Sequence, residues 1–255
     1  MSFFLTSEIS KMTKYGLIGF PLSHSFSKKY FMEKFERESI QEHEYDLFPI
    51  EQISELPDLL KSHPDLKGFN ITIPYKEQVI PFLDVQTPVV KEIKACNCIS
   101  IQDGKLIGYN TDVIGFERTL ERKLSPHHQK ALVLGTGGAA KAVHYVLRKK
   151  GIQFLEVSRI QKQGCIDYAA IDQQLLLSHT LIINTTPLGM YPHVDEAPDL
   201  PYHLLTQQHY LYDLVYNPAK TKFLLEGEKR GAVIENGSDM LVLQAEASWE
   251  IWNQG

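Results

Sequence analysis

The sequence has little cysteine: Cys96, Cys98 and Cys165 are the only three in 255 residues. Three thiols cannot build a disulfide framework, and Cys96-x-Cys98 is tighter than the C-x-x-C spacing of redox and zinc sites. The chain also lacks any apolar run near the roughly 20 residues that a membrane helix needs, and its mean hydropathy is −0.20. It has no excess of positive charge, with 26 Lys and Arg against 31 Asp and Glu for a net charge of −5. That balance leaves no electrostatic footprint for non-specific nucleic-acid binding. Met1–Lys14 shows no basic start followed by an apolar stretch, so no secretory signal is expected. What is present, 43% hydrophobic and 22% charged residues, is ordinary globular composition and excludes a disordered chain. The expectation is a reduced, soluble, cytoplasmic α/β protein, long enough for about two domains.

Apolar runs alternate with helical-period stretches along the chain. Tyr15–Gly19, Glu44–Phe48 and Gly68–Ile71 read as strands. Between them come a helix after Ser27, read as its N-cap, and a second helix over Glu51–Ser62. Further on, Lys130–Leu134, Phe154–Val157, Leu181–Ile183, Tyr210–Leu214 and Ala232–Ile234 read as strands. Helices are expected at Gly138–Lys150, up to His179, at Ala219–Arg230 and at Asp239–Trp252. Such alternation predicts βαβ units and mostly parallel sheets. A boundary is expected near Thr111–Asp112, where a helix would carry the chain from one domain to the next.

One turn carries a specific signal. Gly135, Gly137 and Ala140 in Gly135-Thr136-Gly137-Gly138-Ala139-Ala140 fit G-x-G-x-x-A between a predicted strand and a predicted helix. The first glycine permits the tight turn and the second lets backbone N–H groups approach a pyrophosphate. A small third residue allows close helix–strand packing, and the helix N-terminus favours phosphate. The alternative is a tight turn without ligand. At the next strand's end, Glu156 lies inside the strand rather than at its tip, and Ser158-Arg159 follows. An acid at the tip would bond a ribose hydroxyl, whereas Arg159, with Lys162 nearby, suits a ribose 2′-phosphate. NADP is therefore favoured over NAD, against the plainer reading of Arg159 as a solvated surface residue.

Polar residues also stand where strands should pass into loops. Ser25 and Ser27 suit a carboxylate, or else Ser27 simply caps a helix. Asn70, Thr72 and Lys76 surround an apolar strand end, and Asn97 interrupts the apolar stretch Ala95–Ile99. Asn110-Thr111-Asp112 precedes the interdomain helix, and Gln244 shares a helix face with Met240, Leu243 and Ala247. A glutamine so placed is either a satisfied core residue or one that touches ligand.

Taken together, these segments resemble the shikimate dehydrogenase family, over Gly16 to Trp249 and in the family's order. The motifs are Ser23-His24-Ser25-Phe26-Ser27, Asn70-Ile71-Thr72-Ile73-Pro74-Tyr75-Lys76, Asn97, Asn110-Thr111-Asp112, the glycine turn, Asn184-Thr185-Thr186-Pro187-Leu188-Gly189-Met190 and Gln244. The resemblance implies reversible NADPH-dependent reduction of 3-dehydroshikimate to shikimate in aromatic amino-acid (chorismate) biosynthesis. It implies an α/β substrate-binding catalytic domain, residues 1–112 plus 236–255, completed by the C-terminal helix. A Rossmann-like NADP-binding domain, 113–235, would be inserted in it, with substrate in the cleft. It further implies that Ser25 and Ser27 hold the substrate carboxylate and that Thr72, Asn97, Asp112 and Gln244 bond ring hydroxyls. Lys76 and Asp112 would be the catalytic pair, and Tyr216 would line the carboxylate end. Gly135, Thr136, Gly137, Gly138, Ala139, Ala140, Ser158, Arg159, Thr185 and Gly237 would contact NADP. No metal is implied, and the only implied partner is the small-molecule substrate, with no nucleic acid and no membrane, in a monomer or homodimer. The chain departs from the pattern at Ser158-Arg159-Ile160, often Asn-Arg-Thr in relatives, and at Gln163, where a second arginine is expected beside Lys162.

Three rival readings stand beside this one. A quinate or quinate/shikimate dehydrogenase would need room for an extra C1 hydroxyl, whereas the two serines fit the shikimate pattern. A non-catalytic ligand-binding relative would have no need of Lys76 and Asp112. A methylenetetrahydrofolate dehydrogenase-like protein shares the two-domain plan but gives no reason for Ser25/Ser27 or Asn97/Gln244.

Overall fold

The computed structural model describes residues 12–22, 25–160 and 162–254, so Ser23 and His24 lie outside the described residues. The chain divides into two compact units, one running through Asn110 and resuming at Ser248, the other spanning Thr111–Ala247. The sequence reading placed these changes at 112/113 and 235/236. Among the described residues no helix is long and apolar enough to cross a membrane.

The first unit holds, in chain order, β1 (Thr13–Gly19), α1 (Phe26–Arg37), β2 (His43–Pro49), α2 (Leu56–Ser62), β3 (Leu66–Ile71), β4 (Val85–Gln86), α3 (Pro88–Ile93), β5 (Cys98–Gln102) and β6 (Lys105–Tyr109). They form one six-stranded sheet in the order β2-β1-β3-β5-β6-β4. β1 runs parallel to β2 and β3, but β5 is antiparallel to both β3 and β6. The sheet is therefore mixed rather than mostly parallel. Its hairpin turns on Asp103-Gly104, both with positive φ of 49° and 74°, the backbone that a two-residue Asp-Gly turn supplies. Ile18, Leu56, Phe69, Val79, Val90 and Ile99 form the centre of the core.

Two local expectations change. The N-cap of α1 is Ser25, whose hydroxyl accepts from the Lys28 amide at 3.4 Å, and not Ser27, which lies inside the helix. The helix expected from Glu51 begins as a 3₁₀ turn at Ile53–Glu55 before α2. There the Glu55 carboxylate accepts from the Gln52 amide at 2.7 Å, closing a capping box that tightens the first turn.

The second unit holds α4 (Thr111–Glu121), β7 (Lys130–Leu134), α5 (Gly138–Lys149), β8 (Gln153–Val157), β9 (Cys165–Ile166), α6 (Gln173–Ser178), β10 (Leu181–Asn184), β11 (Tyr210–Asp213), α7 (Lys222–Glu228) and β12 (Val233–Glu235). α8 (Ser238–Trp252) starts in this unit and ends in the first. Six parallel strands lie in the order β9-β8-β7-β10-β11-β12. The direction of winding reverses between β7 and β10, and in open α/β sheets ligands bind at the carboxyl ends of strands at such a switch point. α5 packs Ala140, Val143, Val146 and Leu147 inward, the helical spacing that the sequence shows. α7 is shorter than Ala219–Arg230 because Thr221 caps it, accepting from the Leu224 amide.

The last turns of α8 stay with the first unit because they carry its aromatic core. Trp252 stacks on Tyr15 at 4.8 Å and donates Nε1–H to the Ile99 carbonyl at 2.9 Å, while Trp249 meets Tyr15 and Phe35.

Candidate active site

The glycine turn joins β7 to α5 at the switch point. Gly135 has φ +101°, and a Cβ there would stand 2.8 Å from Thr186 Cγ2 and 2.9 Å from Thr185 Oγ1. Both the backbone and the space thus require glycine. Gly137 and Gly138 are different: no atom lies within 4 Å of where a Cβ would go, so the backbone is open on that side. Gly137 caps the twelve-residue α5 without a side-chain hydrogen bond, and the first turn holds no acidic residue. Its N–H groups and positive dipole end therefore meet no carboxylate from the helix's own first turn, which suits a dinucleotide's phosphates. Ala140 is buried against the sheet, and Thr185 donates to the Leu134 carbonyl at 2.8 Å, fixing the loop after β10 beneath Gly135.

A recess of about 360 Å³ opens where β8 ends, lined by Ser158, Ile160, Lys162, Cys165, Ile166 and Asp167. Lys162 Nζ donates to Thr136 Oγ1 at 2.7 Å, tying this recess to the glycine turn. Arg159 is exposed at the same strand end. Glu156 points elsewhere, pairing with His144 Nδ1 at 3.2 Å. The donors around the recess are cationic and hydroxylic, as a ribose phosphate needs, and the one carboxylate in its lining, Asp167, accepts from the Ala169 amide at 3.0 Å.

In the first unit the predicted polar residues cluster at the carboxyl ends of β1 and β3. The Phe20 amide bonds the Ile73 carbonyl at 3.2 Å and the Thr72 amide bonds Ile18 at 2.9 Å. These bonds hold the end of β1 and Phe20 beside the Thr72–Lys76 turn. Ser25 uses an oxygen lone pair as cap, which leaves its O–H to donate. Ser27 bonds the fully buried Tyr45, whose hydroxyl donates to Asn70 Oδ1 at 2.9 Å. Asn70 in turn donates to Ser248 Oγ at 2.9 Å and to the Asn97 carbonyl at 3.2 Å. Burial pushes the Tyr45 hydroxyl well above the ordinary tyrosine value, so it stays protonated as a donor. The Cys96 amide bonds the carbonyl of half-buried Lys76 at 2.8 Å, which sets Lys76 beside buried Asn97.

In the second unit Asp112 lies in the first turn of α4, and Thr111 donates to Gln244 Oε1 of α8 at 3.4 Å. Gln244 also donates to the Leu241 carbonyl at 3.0 Å and is buried, so it is at once a satisfied residue and a neighbour of Asp112's turn. Tyr216 is 40% exposed on the loop after β11. Gly237 lies against that loop, where a Cβ would come 2.2 Å from the Leu214 carbonyl oxygen.

Beneath these loops sits a buried carboxylate that the sequence reading did not single out. Asp213 Oδ1 accepts from Asn184 Nδ2 and the Val215 amide, each at 3.0 Å, and Oδ2 accepts from Thr221 at 2.5 Å. Asn184 Oδ1 takes the Thr186 amide at 3.0 Å and its hydroxyl at 2.7 Å. Burial outweighs the three donors and pushes the Asp213 pKa up to about 6. Tyr45 and Ser248, which complete the first unit's network, were also missed. A tyrosine inside an apolar strand and a serine late in a helix carry no signal of their own. Among the described residues no cluster of three or more His, Cys, Asp or Glu could hold a metal.

Residues 17–99 match the model of the shikimate dehydrogenase substrate binding domain. Shikimate dehydrogenase (NADP(+)) of Caldicellulosiruptor bescii is 38% identical, the match covering 94% of this chain and 89% of that protein. Among solved structures, a chorismate mutase/shikimate 5-dehydrogenase fusion protein from Clostridium acetobutylicum superposes with a TM-score of 0.85 at 34% identity, covering 95% of this chain and 92% of the other. Shikimate 5-dehydrogenase from Thermus thermophilus in complex with NADP(H) and shikimate gives 0.83 at 28% identity, covering 95% and 94%.

Proposed function

Because this chain belongs to the shikimate dehydrogenase family, we propose that it catalyses the reversible NADPH-dependent reduction of 3-dehydroshikimate to shikimate. The observation that carries this reading is the open glycine turn at the switch point of a six-stranded parallel sheet, in a chain whose match to shikimate dehydrogenases covers 94% of its length. Gly135–Ala140 and the start of α5 would hold the pyrophosphate, Thr185 would support the turn, and Ser158, Arg159 and Lys162 would take the ribose 2′-phosphate. Bound NADPH supplies the hydride.

The chain's own residues then have to receive the substrate and manage one proton. Ser25 and Ser27 donate to the carboxylate, Ser27 exchanging its bond to Tyr45 for one to the ligand. Thr72, Asn97, Asp112 and Gln244 bond the ring hydroxyls, and Tyr216 borders the carboxylate. As hydride reaches the carbonyl carbon, negative charge grows on its oxygen. The Lys76 ammonium stabilises that charge and donates its proton, and the Asp112 carboxylate fixes the direction of the ammonium. In the domain assignment that follows, residues 1–112 plus 236–255 bind substrate and 113–235 bind NADP. A cytoplasmic enzyme is consistent with three cysteines that form no disulfide, and the expected assembly is a monomer or homodimer.

The test is absorbance at 340 nm with shikimate or quinate, each with NADP⁺ or NAD⁺. The reading expects the highest kcat/KM with shikimate and NADP⁺, and comparable efficiency on quinate would replace it with the dual-substrate reading. Lys76→Ala should lower kcat by roughly 10²- to 10⁴-fold with little change in KM. Near-full kcat in that variant would remove Lys76 from the chemistry.

A further inference from the structure

The motif Asn184-Thr185-Thr186-Pro187-Leu188-Gly189-Met190 leaves β10 at the switch point, on the strand next to the glycine turn, and of its residues only Thr185 has a part in the proposed reaction. Leu134, Asn184 and Asp213 stand level with one another at the carboxyl ends of β7, β10 and β11. From there the buried Asp213 carboxylate reaches both ends of the loop that the motif forms. At its start, Oδ1 accepts from Asn184 Nδ2 at 3.0 Å, and Asn184 Oδ1 accepts the Thr186 amide at 3.0 Å and its hydroxyl at 2.7 Å. Thr186 Oγ1 in turn accepts from the Leu188 amide at 3.3 Å. At its far end, Thr221 donates to Asp213 Oδ2 at 2.5 Å. Gly189, at φ +85°, packs on Thr221 so closely that a Cβ would stand 3.2 Å from the threonine Cβ.

The direction of these bonds follows from the carboxylate. Ionised, it offers only lone pairs, so Asn184 has to present Nδ2 to it and Oδ1 to Thr186. A flipped amide would set Oδ1 against a carboxylate oxygen and Nδ2 against the Thr186 N–H. The hydroxyl bond to Asn184 then fixes the Thr186 side chain, whose Cγ2 lies 2.8 Å from where a Gly135 Cβ would stand. Packed interiors yield little, so a displaced Thr186 moves the Gly135 backbone. We propose that Asp213 is a positioning residue for the dinucleotide site: through Asn184 and Thr186 it sets the loop on which the glycine turn packs, and through Thr221 it closes that loop. This rests on the reading that the second unit binds a dinucleotide.

The experiment is calorimetry with NADP⁺ on the full chain at about pH 7.5, above the Asp213 pKa of about 6. It compares the unaltered protein with Asp213→Val, Asp213→Asn and Thr186→Val, and shikimate KM is measured on each at saturating NADP⁺. Valine at 213 suits a strand and removes all three acceptor bonds. Valine at 186 keeps the shape of threonine and the amide bond to Asn184 but loses the hydroxyl. Kd for NADP⁺ should rise roughly five- to fiftyfold in Asp213→Val and roughly threefold or more in Thr186→Val, the range that misplaced buried hydrogen bonds cover. Asparagine at 213 can still accept from Asn184, so Asp213→Asn should stay within about twofold of the parent. Shikimate KM should stay within about twofold throughout, since an interaction with one ligand is being removed. A merely structural role would lower the binding stoichiometry as molecules unfold and leave Kd unmoved. Should Asp213→Val not fold, Thr186→Val decides alone. Parental Kd in either folded valine variant, a rise in Asp213→Asn equal to that in Asp213→Val, or an equal rise in shikimate KM overturns the positioning role alone. An unaltered protein that binds no dinucleotide overturns the dinucleotide reading, and the positioning role falls with it.

Discussion

Asp213 offers the sharpest test of the energetics. It is fully buried, and its pKa is pushed up to about 6 from an ordinary 3.8. The folded chain thus binds this proton more tightly than the unfolded chain does. The contribution of Asp213 to stability is fully present below the unfolded value and is lost as pH rises through the folded one. With these two values the limit is ~3 kcal/mol, most of it present at pH 4, about half at pH 5 and almost none at pH 7.5. Asp213→Asn keeps the shape and removes the titration. Its Oδ1 can still accept from Asn184 and Val215, and its amide can donate to Thr221, whose hydroxyl turns to accept. Urea unfolding of both proteins between pH 4 and 7.5 then gives a difference curve in which every other titrating group cancels. Relative to the variant, the parent protein should lose roughly 1–2 kcal/mol between pH 5 and 7.5, which is several degrees in Tm for a unit of this size. The probe matters. Trp249 and Trp252 both belong to the first unit, so their fluorescence reports on that unit, and far-UV circular dichroism is needed to follow the strands around Asp213. A difference curve flat with pH would refute the reasoning, as would one rising towards alkaline pH.

Two further substitutions probe the turn and the polar network. Gly135→Ala forces a Cβ into a left-handed backbone at 2.8 Å from Thr186 Cγ2; it should cost about 1–3 kcal/mol and raise KM for NADP⁺ at least tenfold with shikimate KM nearly unchanged. A variant with parental KM for NADP⁺ would dissociate the turn from the cofactor. Tyr45→Phe deletes the hydroxyl between Ser27 and Asn70, stranding a buried acceptor; chemical denaturation should show a loss of about 1–3 kcal/mol. Parental stability would mean that Asn70 finds another donor.

How much of this could be read in the sequence depended on how far the relevant partner lies along the chain. The glycine turn was legible because its requirements are local: a left-handed residue, an open approach and a small packing residue fall within six positions. Lys130–Leu134 matched for the same reason, an apolar run bounded by polar residues on both sides. The β5–β6 hairpin carries a local signal, Asp103-Gly104, in a stretch to which the sequence reading assigned no element. Ser25 and Ser27 show the next level of difficulty. Both residues were picked out, yet which one caps α1 was misjudged, because Ser27's alternative partner is Tyr45 on the neighbouring strand. Tyr45 and Ser248 were out of reach, since their bonds to Asn70 span 25 and 178 positions, and Asp213, whose donors are nearer, carries no sign of its burial in the sequence.

Glu156 shows why residue type and position alone do not determine a role. By type it is the acid of a ribose site, and by position it sits one residue before the end of β8. In space it accepts from a thiol on the adjoining strand at 3.5 Å and lies 3.2 Å from a histidine on the preceding helix. The cation that reaches the recess, Lys162, is one position away from where the family pattern places a second arginine. The recess thus sets the Lys162 ammonium near the Asp167 carboxylate, with Arg159 exposed at the same strand end, and because discrimination between two ligands is a difference of affinities, every one of these charges enters it.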